Sequence, residues 1–330
     1  MKSLILLVSL FSLVCSAQLK QTEFENAMLL LQGKESEKAL TNLEDLEKKF
    51  PTDEQVILLR GFYQFRDGNL NAAMMSFSNA IKANPKYAFA YGARAQLFST
   101  KGMFDKAILD ISEALKIEPQ NIDFLKTRVT FYFENKQFKE ALEDAKFKIR
   151  LEPNNIMNYF DAADFSKYID KNTDADDFFN QAYANKEIPK YVTDVLFAKF
   201  LLRYGRFDES KNKYETALAT NEKDFGDEDL HDAAIAFYKT KNYDKSILYF
   251  NKAISMNPNN VTYYNNFISV YMDLKDWQKV KEIAEKALSV DANDPMANML
   301  MAVGLKFTGN ESLALEYQNK ANRLEAEQKN

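Results

Sequence analysis

Residues 102–121 read GMFDKAILDISEALKIEPQN and combine apolar residues at helical spacing with a proline near the end of the stretch. Phe104, Ala107 and Ile111 follow one another at intervals of three and four residues, which places them on one face of a helix. Pro119 lacks the backbone N–H that would continue this helix, so the helix is expected to end before it. The stretch is therefore either a solitary amphipathic helix or one copy of a repeated unit.

A step of 34 residues recurs along the chain, which favours the repeated unit. This step separates four prolines, at Pro51, Pro85, Pro119 and Pro153. A second set, made mostly of small residues, keeps this step and then steps of 35, 36, 34 and 34, through Ala39, Ala73, Ala107, Ala141, Ala175, Ser210, Ser246, Val280 and Ala314. The array at 18–330 is thus expected to hold about nine units, near residues 20–53, 54–87, 88–121, 122–155, 156–190, 191–226, 227–260, 261–294 and 295–330.

Each unit is predicted to form two helices joined by a short turn. In the third unit, Tyr91, Ala95 and Phe98 lie four and three residues apart, on one face of a first helix. Gly102 follows that helix and suits the left-handed conformation that closes a helix. Small residues let two helix axes approach closely, while aromatic rings fill the wider gaps between them. The chain is therefore expected to be all-α.

This 34-residue helix–turn–helix resembles the tetratricopeptide repeat. The residues that match the family pattern include Ala95, Ala234 and Ala302 in first helices, Ala73, Ala80, Ala107 and Ala114 in second helices, and the closing Pro51, Pro85, Pro119, Pro153 and Pro258. The resemblance implies a right-handed αα superhelix, a solenoid of paired antiparallel helices whose first helices line a concave groove. Two units depart from the family pattern: the fourth has Val129 and Lys148 where small residues are usual, and the eighth has Ile268 and Val280.

The resemblance also implies that function lies in the groove, which takes an extended peptide or a partner helix. Candidate groove positions lie on the first helices, opposite their packing face, and mix aromatic side chains with both charges, as suits protein recognition. They are Phe62, Phe65, Arg66, Gln96, Lys126, Phe133, Phe160, Asp164, Tyr168, Lys199, Arg203, His231 and Tyr238. The alternative for any one of these aromatics is that it only fills the inside of the coil.

Residues 1–18, MKSLILLVSLFSLVCSAQ, differ in kind from the repeats. A lysine, an apolar run from Leu4 to Val14 and small residues up to Ala17 are typical of a secretory signal peptide cleaved after Ala17. The run is too short to span a bilayer comfortably, so no transmembrane span is expected in the mature chain. Lipidation at Cys15 is the alternative, although Val14 is bulky where a lipobox has glycine or alanine. We expect export to the periplasm or cell envelope, or secretion.

Composition argues against several functions. The formal net charge is −5, and acidic and basic residues are interleaved, so a nucleic-acid partner is not expected. His231 is the only histidine and Cys15 the only cysteine, which excludes Cys/His nucleophiles and multi-histidine zinc sites from the mature chain. The chain has no HExxH, GxSxG or P-loop pattern. We therefore expect no enzyme activity, no metal and no cofactor.

Two functions from different classes stay open. The first is an exported interaction scaffold that holds a protein or peptide partner in its groove, with a membrane-associated assembly as one setting. The second is an accessory protein for carbohydrate binding or transport at the cell envelope, which would need a long insertion to form a sugar site. The uniform spacing of the repeats contains no such insertion and favours the scaffold. The sequence leaves the oligomeric state open.

Overall fold

The structure, a computed structural model, describes residues 21–33, 36–170 and 175–328. The predicted signal peptide at residues 1–17, with Cys15, lies outside these ranges. Within them the chain forms eighteen α-helices and no strand, which confirms the predicted all-α fold class. The chain divides into two compact units, residues 1–178 and 179–330.

The first unit is a succession of helices joined by short turns. Their bounds are α1 (Gln21–Gln32), α2 (Ser36–Lys49), α3 (Glu54–Arg66), α4 (Leu70–Ala83), α5 (Ala88–Thr100), α6 (Phe104–Ile117), α7 (Ile122–Glu134), α8 (Phe138–Leu151) and α9 (Ile156–Ile169). The next helix, α10 (Asp176–Ala184), contains the boundary between the two units. Odd-numbered helices are the first helices of hairpins, and even-numbered helices are the second.

The second unit continues the same alternation. Its helices are α11 (Lys190–Arg203), α12 (Phe207–Asn221), α13 (Asp227–Lys239), α14 (Tyr243–Met256), α15 (Val261–Asp273), α16 (Trp277–Val290), α17 (Pro295–Phe307) and α18 (Glu311–Gln328). A single 3₁₀ turn, Glu222–Asp224, follows α12 in the stretch where the repeat step lengthens to 36 residues.

Local sequence explains where these helices begin and end. Gly102 has a φ of 69°, so the turn between α5 and α6 closes in the left-handed conformation predicted for it. Lys136, one repeat later, adopts the same conformation with a φ of 59°, which a side chain with a Cβ makes less favourable. At the opposite ends, polar side chains cap several helices: Asn121 Oδ1 accepts hydrogen bonds from the backbone N–H groups of Asp123 and Phe124 at the start of α7.

Small residues occupy the closest contacts between helices. Ala107 and Ala114 on α6 are fully buried, as their place in the repeat predicts. On α3, Gly61 lies so close to the next helix that an added Cβ would stand 2.4 Å from Cε1 of Phe77. Glycine at this position therefore leaves room for the Phe77 ring within the hairpin, and the outer faces of each hairpin are buried against its neighbours.

Charged side chains set the register of neighbouring hairpins in the first unit. Arg94 on α5 donates from Nε and one terminal nitrogen to both carboxylate oxygens of Asp110 on α6, at 2.6 and 2.8 Å. Its other terminal nitrogen is 3.2 Å from the hydroxyl of Ser78 on α4, in the preceding hairpin. Arg128 repeats the arrangement with Asp144 one period later. Because the planar guanidinium has a fixed geometry, such paired contacts hold three helices in one register.

A different polar contact joins successive hairpins in the second unit. Asp227, the first residue of α13, accepts hydrogen bonds from Asn257 Nδ2 and from the Tyr263 hydroxyl, both at 2.9 Å. Asn257 caps the end of α14 in the same hairpin, and Tyr263 lies on α15 in the next one, so this carboxylate ties the start of α13 to both. The hydrogen bond from Asn257, with that from Tyr263, holds the pKa of Asp227 below its usual value.

We expect Gly61→Ala to lower the free energy of unfolding by about 1–3 kcal/mol, because the new methyl group overfills the contact with the Phe77 ring. Urea denaturation followed by circular dichroism measures this loss. A double-mutant cycle with Phe77→Leu supplies the control, since removing the ring should make the two losses non-additive. Strictly additive losses would contradict the steric explanation.

Candidate functional site

A pocket of about 420 Å³ lies between α7 and α9 in the first unit, at the junction where the repeat pattern is broken. Its lining residues come from the first helices of two successive hairpins and from the end of the second helix between them. They are Lys126, Val129, Thr130, Phe133, Lys148, Asn155, Met157, Asn158, Asp161, Asp164 and Phe165. The pocket is thus a gap between hairpins, formed in a place where first helices of neighbouring repeats face each other.

Helical spacing explains how the two walls arise. On α7, Lys126, Thr130 and Phe133 follow at intervals of four and three residues and so share one face. On α9, Met157 and Asp161 are four residues apart, and Asp164 comes three later, on the facing side of the pocket. Each helix therefore presents one stripe of side chains to the gap.

A buried ion pair lies among the lining residues. Lys148 on α8 is only 4% exposed, and its Nζ is 2.9 Å from Oδ2 of Asp161 on α9. In seven other repeats the equivalent residue is a buried alanine: Ala80, Ala114, Ala182, Ala217, Ala253, Ala287 and Ala321. A lysine thus occupies a position that is usually alanine, and its methylene chain must fit between hairpins that approach closely at the other repeats.

Aromatic rings close one end of the pocket. The Phe133 ring lies 6.0 Å from Phe165 and 5.3 Å from Tyr168, measured between ring centroids. Phe138, at the start of α8, stacks on Tyr168 at 4.9 Å. This cluster joins α7, α8 and α9, so the aromatic end of the pocket is preformed by contacts within the chain.

The turn between α8 and α9 closes the other end. The Asn158 side chain is buried and donates to the backbone carbonyl oxygens of Lys148 and Glu152, both at 3.3 Å. These bonds tie the start of α9 to the last turn of α8. Lys148 is therefore held in place at its backbone as well as at its ammonium group.

The polar groups of the pocket balance in charge. Two lysines, Lys126 and Lys148, and two aspartates, Asp161 and Asp164, line it. Lys126 is on the exposed rim, where its Nζ is 3.8 Å from Asp123. Around these groups the walls are mainly apolar, so the site can bind a ligand through both apolar contact and a small number of placed hydrogen bonds.

Four of the predicted groove residues belong to this site. The structure places Lys126, Phe133 and Asp164 in the pocket lining, and Tyr168 in the aromatic cluster at its end. Phe160 on the same helix is buried and does not line the pocket.

The assignment of Phe62 to an open groove is wrong. Its side chain is 1% exposed, because the ring packs edge-on against Phe77 of its own hairpin at 5.3 Å and against Phe89 of the next hairpin at 6.3 Å. The other predicted residues nearby also have structural contacts. Phe65 packs against the core, and Arg66 donates to the backbone carbonyl of Leu31, 3.0 Å away at the end of α1.

Gln96 on α5 is half-buried and is absent from the pocket lining. In the second unit, two predicted residues take part in contacts between hairpins. Lys199 on α11 pairs with Asp229 on α13, at 2.6 Å. His231 is buried, with its ring stacked on Tyr263 at 4.5 Å and its Nε2 2.9 Å from Asn266 Nδ2.

The last two predicted residues of the second unit are Arg203, which is exposed at the end of α11, and Tyr238, which is half-buried on α13. The second unit has its own concavity of about 460 Å³. Hairpin turns around Lys241 and Tyr243 form it, and it includes no predicted groove residue. We therefore take the pocket between α7 and α9 as the candidate site.

Sequence reasoning missed two central residues of this site, Lys148 and Asp161. Lys148 was visible as a departure from the small residue expected at its position, together with Val129. A departure from a repeat pattern could have located the pocket, since both residues line it. Asp161 carried no such signal, because its pairing with Lys148 depends on how two hairpins face each other.

Over residues 21–33, 36–170 and 175–328, no group of three or more His, Cys, Asp or Glu side chains is placed to hold a metal ion. In the same ranges, we find no helix with the length and apolar character needed to cross a bilayer.

Comparison with known proteins confirms that the chain contains tetratricopeptide repeats. Sequence profiles of the tetratricopeptide repeat match residues 90–121 and 228–260. The chain is 33% identical over 104 residues to stress-induced-phosphoprotein 1 of Caenorhabditis elegans. That alignment spans 32% of this chain and 29% of the worm protein. The crystal structure of yeast Tom70 has a similar fold, with a TM-score of 0.55 and 16% identity, over 99% of this chain and 70% of Tom70.

We expect Lys148→Met to leave the free energy of unfolding within about 1 kcal/mol of the wild-type value or to raise it. Methionine keeps most of the stem volume and removes the cost of burying an ammonium, while Asp161 stays partly exposed to water. Chemical denaturation of the two proteins measures the difference. A loss of about 3 kcal/mol or more would show instead that the ion pair is required for folding.

Proposed function

We propose that this chain is a non-catalytic scaffold that binds a peptide segment or a partner subunit through its first helices. In this proposal a partner side chain enters the pocket between α7 and α9. The tetratricopeptide repeats support a role in protein–protein interaction. The single observation that carries the proposal is the pocket itself, which is built from two successive first helices and is reached from solvent past exposed residues such as Met157 and Thr130.

The chemistry of the pocket suits binding better than catalysis. Its lining contains neither histidine nor cysteine, and its carboxylate Asp161 is engaged with the Lys148 ammonium. The one histidine of the chain, His231, lies in the second unit and is stacked on Tyr263. A pocket with apolar walls, a rigid aromatic end and few polar groups is the form expected for anchoring a side chain.

The proposal includes export. Residues 1–17 have the charge, apolar run and small residues of a cleavable signal, and cleavage after Ala17 would bring the repeats to the periplasm or cell envelope. An assembly at the membrane would then be the setting for the partner. Lipidation at Cys15 would lead to the same compartment with a covalent anchor.

We expect Met157→Arg to reduce recovery of the partner at least about tenfold, because a long charged side chain at the pocket mouth blocks entry. Quantitative mass spectrometry after affinity capture from envelope extract measures recovery. Met75→Arg is the matched control: Met75 is 68% exposed on α4 and does not line the pocket, so its replacement should leave recovery unchanged. Equal recovery with both variants would remove the pocket from the binding surface.

The export proposal predicts a mature chain that begins at Gln18 when the protein is isolated from its native cells. Mass spectrometry of the N-terminal peptide identifies the first residue. A chain that starts at an acylated Cys15 would replace the cleaved signal with a lipid anchor. An intact Met1 on the bulk of the protein would overturn processing by either route.

A further inference from the structure

We infer that the pocket between α7 and α9 selects an uncharged carboxamide, the side chain of a glutamine or asparagine in the partner segment. The inference rests on the proposed function and names the chemistry of its ligand. Its basis is the placement of one buried hydrogen-bond donor beside carboxylate acceptors, within walls that are otherwise mostly apolar.

The donor is the ammonium group of Lys148. An ammonium carries three N–H bonds, and among the described residues the one acceptor placed on it is Asp161 Oδ2, at 2.9 Å. Because the Lys148 side chain is buried, donors without acceptors are costly there. An oxygen atom brought into the pocket by a ligand would satisfy a further N–H of this group.

The acceptors are carboxylates on α9. Asp161 and Asp164 are three residues apart, so they lie on one face of the helix, and both line the pocket. An ionised carboxylate has two oxygens and about four lone-pair positions, so the bond from Lys148 leaves Asp161 able to accept another hydrogen bond. A ligand N–H group beside Asp161 would therefore be bound.

A carboxamide has both groups that this arrangement lacks. Its carbonyl oxygen accepts from Lys148, and its NH₂ group donates to Asp161, while both ligand atoms belong to one small planar unit. The methylene groups behind the amide would contact the apolar side chains of Val129, Phe133 and Phe165. One neutral side chain thus meets the polar and the apolar parts of the pocket together.

Other side chains leave a conflict. A carboxylate ligand that accepts from Lys148 would bring its charge beside Asp161, and an ammonium ligand that donates to Asp161 would bring its charge beside Lys148, so a like charge opposes each. A purely apolar side chain would fill the space and leave the remaining N–H bonds of Lys148 without acceptors. The two positive and two negative groups of the pocket sum to zero charge. A charged ligand would lose its hydration on entry without a net electrostatic attraction that offsets this cost.

The position of Lys148 confines this selectivity to one place in the first unit. An alanine stands at the equivalent position in the two preceding hairpins, Ala80 and Ala114, so they contribute no such donor. One period before Asp161 the residue is Thr127. A buried ion pair commonly contributes less stability than apolar residues of the same size, so a role in recognition accounts for this pair better than a role in stability does.

The test uses the full chain and four small probes: the N-acetyl, N′-methylamide derivatives of glutamine, glutamate, lysine and norleucine. Methyl NMR of protein labelled at the methionine methyl groups reports binding, since Met157 lines the pocket and Met75, on α4, serves as a remote reference. We expect the glutamine probe, at millimolar concentration, to shift the Met157 signal saturably while Met75 stays unchanged. Its dissociation constant should be at least about fivefold lower than those of the other three.

Lys148→Met supplies the decisive variant, because it keeps the stem and removes the donor. In this variant the preference for glutamine over norleucine should vanish or reverse. Equal or tighter binding of glutamate, lysine or norleucine by the wild type would overturn the carboxamide and leave the pocket as a binding site of other selectivity. No shift of Met157 with any probe would also overturn it, while the capture experiment with Met157→Arg separately decides the proposed function.

Discussion

The contact distance between neighbouring helices is the constraint on which the other features of this chain depend. Where Gly61 meets Phe77, the space between α3 and α4 excludes even a methyl group, and buried alanines mark equivalent close contacts along both units. A hairpin of about 30 residues cannot bury all of its apolar surface alone, so its outer faces must pack against the neighbouring hairpins. Small residues let the helices approach in more than one register. Polar contacts such as the one from Arg94 to Asp110 then stabilise one of these registers.

Much of the fold could be predicted from the sequence, because the residues that recur every 34 positions sit where only a small side chain or a left-handed backbone conformation fits. Gly102 adopts the left-handed turn expected of it, and Ala107 is fully buried as its spacing indicates. The candidate site was less predictable. Lys126 and Phe133 on α7 and Asp164 on α9 could each be found from the face of its own helix, since that face is a local property. The same reasoning placed Phe62 wrongly in an open groove, because Phe89 of the next hairpin packs on its ring, and a contact between hairpins is not a local property.

The ion pair between Lys148 and Asp161 shows why the remainder of the site was hidden. Each residue taken alone has an ordinary explanation, as a charged residue on a helix. Their meeting depends on the angle and height at which α8 and α9 face each other, which no spacing within one repeat encodes. Departures from a repeat pattern are nevertheless informative: Val129 and Lys148 break the rule for small residues, and both line the one pocket formed by facing first helices that we describe.

The pocket takes its walls from α7 and α9 and its buried lysine from α8, so it belongs to the junction of two hairpins. A gene duplication that copied residues 122–155 alone would transmit Lys148 without the carboxylate that faces it. The copied lysine would then meet Thr127 where Asp161 stands in the original junction. A pocket built in this way is inherited through the order of neighbouring repeats, and an array can lose or regain it by recombination while every individual repeat keeps its sequence.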